Sequence, residues 1–230
     1  MIVEQAGDVM SETQRATARE IAHKHLDSGD PLGWFEDLYA QADEKLSIIP
    51  WADLEPNPNL IDWLNQNGTG HCGLAIIIGS GLGDDAEELS RRGFETTAFD
   101  ISESAIAWSR KRFPKSSVSY IVADLFSAPI EWKAMFDFVL ESYTLQVLPP
   151  DLRAKAIRCI TSFVAPKGTL LVIARGKEPS DPEGKMPWPL TKEEMSLFEA
   201  HGLKEVSLED FMDSEEPPVR RFRATYYRKP

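Results

Sequence analysis

The feature that most constrains this chain is the unit from Gly73 to Leu89. An apolar run, Leu74-Ala-Ile-Ile-Ile78, enters a Gly79-x-Gly81-x-Gly83 turn, and a helical pattern follows, opened by Asp84 and Asp85. A short apolar run of this kind, bounded by glycine, reads as a buried strand, and strands buried on both faces belong to parallel sheets. A strand that feeds a helix through glycines also lets backbone N–H groups approach a ligand closely. The unit therefore points to an α/β fold and marks a candidate cofactor site at Gly79, Gly81 and Gly83. A glycine turn serves equally as a plain connection, so the turn alone does not fix function.

The spacing narrows the ligand. A dinucleotide fingerprint reads G-x-G-x-x-G and leaves the helix N-terminus free for pyrophosphate. Here the spacing is G-x-G-x-G, and Asp84 and Asp85 occupy the helix start. Their charge suits the helix dipole but repels a phosphate, which favours a cationic or zwitterionic ligand. S-adenosylmethionine, with an ammonium, a sulfonium and no phosphate, fits that description better than NAD does. The plain alternative is that the aspartates only cap the helix.

A formal net charge of −12 argues against a nucleic-acid backbone or an anionic membrane as partner and favours a small molecule. Cys72 and Cys159, the two cysteines, form neither a disulfide framework nor a paired metal-ligand spacing, which fits free thiols in a reducing cytoplasm. His23 and His25 lie two apart and face different sides of a helix, and His71 and His201 read as loop or cap residues, so no metal site is expected. No run approaches membrane-spanning length, and Met1 to Glu20 lacks the apolar core of a leader.

The N-terminal part predicts helices over Thr13 to Leu26, Leu32 to Leu46 and Asn59 to Asn67, with a proline-rich connector, Ile48 to Pro58, before the last. Residues 1–70 thus read as a helical cover and lid segment, and 71–230 as one core domain. After Gly73, strands are expected at Leu74 to Ile78, Glu95 to Phe99, Ser117 to Ala123, Phe136 to Glu141 and Thr169 to Ala174. Helices are expected at Asp84 to Arg92, Glu103 to Phe113 and Leu152 to Val164. A helix from Thr191 to His201 and two strands, Leu203 to Leu208 and Val219 to Tyr227, complete a doubly wound mixed seven-stranded sheet with an antiparallel edge.

Ligands of open α/β sheets bind outside the carboxyl ends of the strands. Three predicted strands end in acids there. Asp100, about 20 residues after the turn, is placed to accept from ribose hydroxyls, with Ile101 beside it; its alternative is a helix cap. Asp124 is placed to accept from an exocyclic amine while Leu125 and Phe126 offer apolar surface to a base; its alternative is a turn residue. Glu141 ends the fourth strand, and with Tyr143 and Gln146 stands where a substrate would be oriented or deprotonated. Glu141 serves equally well as a cofactor contact, and Tyr143 as core.

These motifs, in this order, resemble the class I S-adenosylmethionine-dependent methyltransferases. Ile76-Ile-Ile-Gly-Ser-Gly-Leu-Gly83 looks like the family's first glycine motif, Ala98-Phe-Asp-Ile-Ser102 like its ribose loop and Val122-Ala-Asp-Leu125 like its adenine loop. Phe136 to Glu141 resembles its fourth motif, and Leu152 to Ile173 the helix, turn and strand after it. The resemblance implies a Rossmann-like fold, S-adenosylmethionine as cofactor and S-adenosylhomocysteine as product. Many members carry an acid two places before the first glycine; here that place is Ile77, which leaves Asp84 or Asp85 for the cofactor's ammonium. Trp34, Pro50-Trp51 and Asp84-Asp85 further resemble the thiopurine, thiol and halide methyltransferase branch. Singly, Trp34 and Trp51 are packing residues of the cover; together they would make an aromatic lid over a sulfonium.

That branch implies a soft sulfur, chalcogen or halide nucleophile, already competent without a base. The alternatives are a small-molecule O- or N-methyltransferase and a non-catalytic cofactor-binding protein on the same fold. The basic group Arg220, Arg221, Arg223, Arg228 and Lys229 reads as counter-charge to the acids of 209–216 rather than as a substrate site.

Overall fold

The computed structural model describes residues 4–42, 49–67, 73–182 and 184–230. Leu46, Ile48, His71 and Cys72, used above in reading the sequence, lie outside the described residues. The N-terminal helices are α1 (Glu4–Asp27), α2 (Gly33–Ala42) and α3 (Pro58–Gln66). The strands are β1 (Leu74–Ile78), β2 (Glu95–Asp100), β3 (Ser119–Val122), β4 (Phe136–Ser142), β5 (Val164–Arg175), β6 (Leu203–Met212) and β7 (Arg220–Arg228). Between them run α4 (Asp84–Arg91), α5 (Glu103–Arg112), α6 (Pro150–Phe163) and α7 (Lys192–Ala200).

The seven strands form one sheet in the order β3-β2-β1-β4-β5-β7-β6. The first five are parallel, and β7 pairs antiparallel with both β5 and β6. The doubly wound mixed sheet read from the sequence is thus the observed one. Successive side chains of a strand alternate faces. In β1, Ile76 and Ile78 enter a core with α6 and α7, while Ala75 and Ile77 enter another with α3, α4 and α5. Helix α3 belongs to that second core, where Trp63 lies 5.2 Å from Phe138 and donates from Nε1 to Thr225 Oγ1 at 2.8 Å. A third cluster joins α1 and α2 to Leu82 of the glycine turn and to Ala105 and Trp108 of α5.

Local chemistry sets the helix ends. Ser102 Oγ accepts from Ala105 N at 3.0 Å to cap α5, and Thr191 and Glu194 form a reciprocal capping box on α7. Strand β5 starts at Val164, earlier than expected, because Val164 pairs with Phe136 across a register shift in the β4–β5 ladder. Among the described residues no helix is long and apolar enough to cross a membrane.

The sheet order reverses at β1, which has β2 on one side and β4 on the other. That switch point is where the strand ends diverge and leave a crevice.

Candidate functional site

The crevice is a cleft of about 900 Å³ beside the carboxyl ends of the parallel strands, bounded above by the connector around Trp51 to Pro58. Its floor is the glycine turn. Gly79, Gly81 and Gly83 have φ of 61°, 52° and 92°, a region in which only glycine is unstrained. The turn is also held too tightly for side chains. A Cβ on Gly83 would stand 2.5 Å from the Tyr120 hydroxyl, and one on Gly79 would run into Thr144 Oγ1. Gly81 N donates to Asp100 Oδ2 at 2.9 Å, and Ser109 Oγ donates to Gly81 O at 2.8 Å.

Asp100 ends β2 beneath the turn. Its Oδ1 also accepts from Ser102 N at 3.0 Å, and burial raises its pKa against these hydrogen bonds. A carboxylate has about four acceptor sites, so capacity remains for a ligand donor. Glu36 of the cover fixes the next residues: its Oε2 accepts from Ser102 Oγ at 2.6 Å and its Oε1 from Ser104 Oγ at 2.6 Å.

The paired aspartates have different surroundings. Both oxygens of Asp84 are held by Arg112, each at 2.7 Å. Asp85 has no such cation among the described residues; its Oδ1 accepts from the backbone N–H of Asn57 at 2.7 Å, and burial pushes its carboxyl up to about 6. Of the two acids named for the ammonium, Asp84 is already neutralised and Asp85 is not.

Asp124 accepts from Phe126 N at 2.8 Å and Ser127 Oγ at 3.1 Å, so it shapes its own turn while facing the cleft. Ile101, Leu125 and Phe126 line the cleft with it. Trp51 also lines it, and its Nε1 donates to the Tyr39 hydroxyl at 2.8 Å.

Two expected residues are elsewhere. Trp34 is absent from the cleft wall: it is 1% exposed, stacked on Phe35 at 4.0 Å and edge-on to Trp51 at 6.1 Å. It is core of the cover, and only Trp51 of the pair reaches the cleft. Glu141 is fully buried and also off the wall. It shares the face of β4 that packs toward α6, its Oε1 accepts from Leu145 N at 2.8 Å, and burial pushes it up to about 7. Its Oε2 has no partner among the described residues. A carboxyl behind the wall cannot take a proton from a substrate in the cleft.

Tyr143 does face the cleft, with φ of 65°, a strained conformation for a bulky residue. The Arg221 guanidinium lies 4.9 Å over its ring. Two other basic residues of β7 are held in ion pairs, Arg220 with Asp210 and Glu178 and Arg223 with Glu209, while Arg228 donates to the Thr161 carbonyl at 2.7 Å.

Asn57, Thr144 and Arg175 are among the wall residues that escaped the sequence reading. Asn57 carried a signal, being a polar residue between Pro56 and Pro58 at a helix start. Its side chain caps α3 by accepting from Asn59 N at 2.9 Å and donates to Ser142 Oγ at 3.0 Å. Of the histidines, His25 is bound by Asp30 and Asp37 at the cover surface. Among the described residues no group of three or more metal-ligating side chains comes together.

The donor set fits a zwitterionic nucleoside. The floor excludes Cβ atoms, Ser80 Oγ is buried without a partner among the described residues, and Asp85 and Asp100 are desolvated carboxylates.

Comparison with known proteins bears on the domain and the fold. Residues 76–168 match the family model described as a methyltransferase domain. The chain is 32% identical over 101 residues to a ubiquinone biosynthesis O-methyltransferase of Azoarcus sp. strain BH72, which covers 41% of this chain and 42% of that enzyme. The match thus spans less than half of that relative. It is 24% identical over 166 residues to an Arabidopsis thaliana protein named Probable thiol methyltransferase 2, 70% of this chain and 69% of that one. Among solved structures, a 1,6-didemethyltoxoflavin N1-methyltransferase of Burkholderia thailandensis, with S-adenosylhomocysteine bound, superimposes with a TM-score of 0.67 at 17% identity, over 85% of this chain and 86% of that one. The sheet is the Rossmann-like class I methyltransferase fold.

Proposed function

We infer that this chain, a class I methyltransferase by its domain and its sheet, transfers a methyl group from S-adenosylmethionine to a small molecule. The observation that carries the reading is one cleft that joins a glycine-turn floor, closed to Cβ atoms at Gly79 and Gly83, to two desolvated carboxylates, Asp85 and Asp100. When bound, the cofactor supplies an electrophilic methyl group on a sulfonium.

The chain's own residues then bind, orient and exclude water. Asp100 accepts from the ribose hydroxyls, Asp124 accepts from the adenine amine, and Ile101 and Leu125 cover the base. Asp85 receives the ammonium, because Asp84 is held by Arg112. Trp51 and the connector close the cleft from above, while Tyr143 and Thr144 line it where β4 ends. Methyl transfer needs nucleophile, carbon and sulfur in line, so orientation and desolvation supply most of the catalysis.

For the acceptor, a soft thiol, chalcogen or halide nucleophile is the preferred class. It is supported by the similarity to the Arabidopsis protein and by the position of Glu141 behind the wall, which leaves that carboxyl unfit as a base. An O-methyl acceptor is the second reading, favoured by the similarity to the Azoarcus enzyme. A reducing, cytoplasmic setting belongs to the same proposal, consistent with Cys159 as a free thiol.

The test is calorimetric binding of S-adenosylhomocysteine, with NAD as comparison and Asp100→Ala as control, followed by an acceptor panel beginning with thiols and halides. Tight binding lost in the variant, then methyl transfer, is the expected result. Binding of neither nucleotide overturns the reading; binding without transfer to any acceptor supports a non-catalytic cofactor-binding protein.

A further inference from the structure

Arg175 ends β5 and its backbone is clamped from two sides: its N–H donates to Gln146 Oε1 at 2.7 Å and its carbonyl accepts from Leu190 N at 2.8 Å. The root of the side chain is therefore fixed at the carboxyl end of the sheet, and the residue lines the cleft. Its Nε is buried without a hydrogen-bond partner among the described residues. A guanidinium does not shed its proton in a protein, so burial is compensated only by an acceptor.

Among the described residues the neighbouring carboxylates do not supply one. Arg221, opposite Arg175 in the β5–β7 ladder, takes Asp213 at 2.6 Å and Glu215. Arg15 stands 3.9 Å from the other oxygen of Glu215. Asp213 and Glu215 are thus paired with Arg221 and Arg15, and neither makes an ion pair with Arg175, the third guanidinium of the group. Burial, then Arg221 and Arg15, press its pKa down from the usual arginine value and outweigh the opposite pull of Glu215, the direction expected of a cation without a hydrogen-bonded acceptor. Asp53 on the connector also lines the cleft, but among the described residues it makes no ion pair or hydrogen bond with Arg175.

Position separates this group from the nucleoside contacts. Asp100 and Asp124 follow β2 and β3 on one flank of the β1–β4 switch point, whereas Arg175 ends β5 on the other, beyond Tyr143. We propose that Arg175 anchors an anionic group of the methyl acceptor, so that the acceptor is a small molecule bearing a carboxylate or similar oxyanion. The assignment rests on the methyltransferase reading for the identity of the second ligand, and not for the existence of an anion site.

The test is calorimetry on the full chain saturated with S-adenosylhomocysteine, using two matched pairs of probes: mercaptoacetate against mercaptoacetamide, and benzoate against benzamide. The wild type is expected to bind at least one carboxylate about 30-fold more tightly than its amide. Arg175→Gln should abolish that preference and Arg175→Lys should keep part of it. Equal affinities within both pairs, or a preference that survives Arg175→Gln, overturns the proposal. A loss of tenfold or more in S-adenosylhomocysteine affinity on Arg175→Gln also overturns it, by assigning Arg175 to the cofactor's own carboxylate. Should S-adenosylhomocysteine itself not bind, the methyltransferase reading fails separately, and the same probe pairs run on the unliganded chain decide whether the anion site exists.

Discussion

The backbone N–H of Asn57 donates to Oδ1 of Asp85 at 2.7 Å, tying the proline-bent connector to the first turn of the helix that follows the glycines. The contact positions Asp85 without neutralising it, so its carboxylate keeps acceptor capacity toward the cleft. In Asp84 the bidentate pair with Arg112 neutralises the charge instead.

Asp85→Asn keeps an acceptor for Asn57 and removes the charge. It is expected to weaken S-adenosylhomocysteine binding by about 10–100-fold, the worth of a hydrogen bond to a charged group. Methylthioadenosine, which lacks the ammonium, should bind the variant and the wild type alike in calorimetry. Burial holds the Asp85 carboxyl up to about 6, so wild-type affinity for S-adenosylhomocysteine should fall as pH drops through 6, and the variant should lack that dependence.

Glu141 makes the stability of the fold depend on pH. Its folded value, about 7, lies above that of a free glutamate, so the folded state holds the proton more tightly. The contribution is fully present below the unfolded pKa and is lost as pH rises through 7. Glu141→Gln imitates the protonated acid and keeps the acceptor for Leu145 N. Denaturant unfolding at pH 5 and pH 8 should show the wild type losing up to about 3 kcal/mol relative to the variant between the two.

Gly79→Ala forces an L-residue to φ of 61° and drives its methyl into Thr144 Oγ1. A loss of about 2–3 kcal/mol is expected from the left-handed strain plus the clash. The double variant with Thr144→Ala should recover part of it, measured as a coupling in a double-mutant cycle. Additive effects would show that the two residues do not meet.

Glu36→Ala removes three hydrogen bonds to Ser102 and Ser104 from a residue of the cover. Unfolding measurements should register a loss of about 1–3 kcal/mol. Because Ser102 follows the Asp100 loop, S-adenosylhomocysteine affinity should fall as well, although Glu36 is not on the cleft wall. Unchanged affinity would mean that the loop keeps its shape without the cover.

The sequence by itself determined the elements and their order. Apolar runs of strand length alternating with helical patterns specify a doubly wound sheet, because each element must bury one face or both against a neighbour. The glycines and the acids at strand ends were legible for a related reason: backbone conformation at Gly79 to Gly83, and the end of a strand at Asp100, are local properties. Which side chains meet across the cleft was decided only by the tertiary structure. Asp84 and Asp85 are adjacent and chemically alike, yet one meets Arg112 and the other the backbone of Asn57, each 28 residues away. Trp34 and Trp51 look equally fit for a lid, but α2 turns Trp34 into the cover's core. Glu141 falls on the same β4 face as Val139 and is directed toward α6, so an acidic strand end became a buried acid. The isolation of Arg175 depends on how Arg221 and Arg15 divide the nearby carboxylates, an electrostatic balance set by β5–β7 register and invisible in the order of residues.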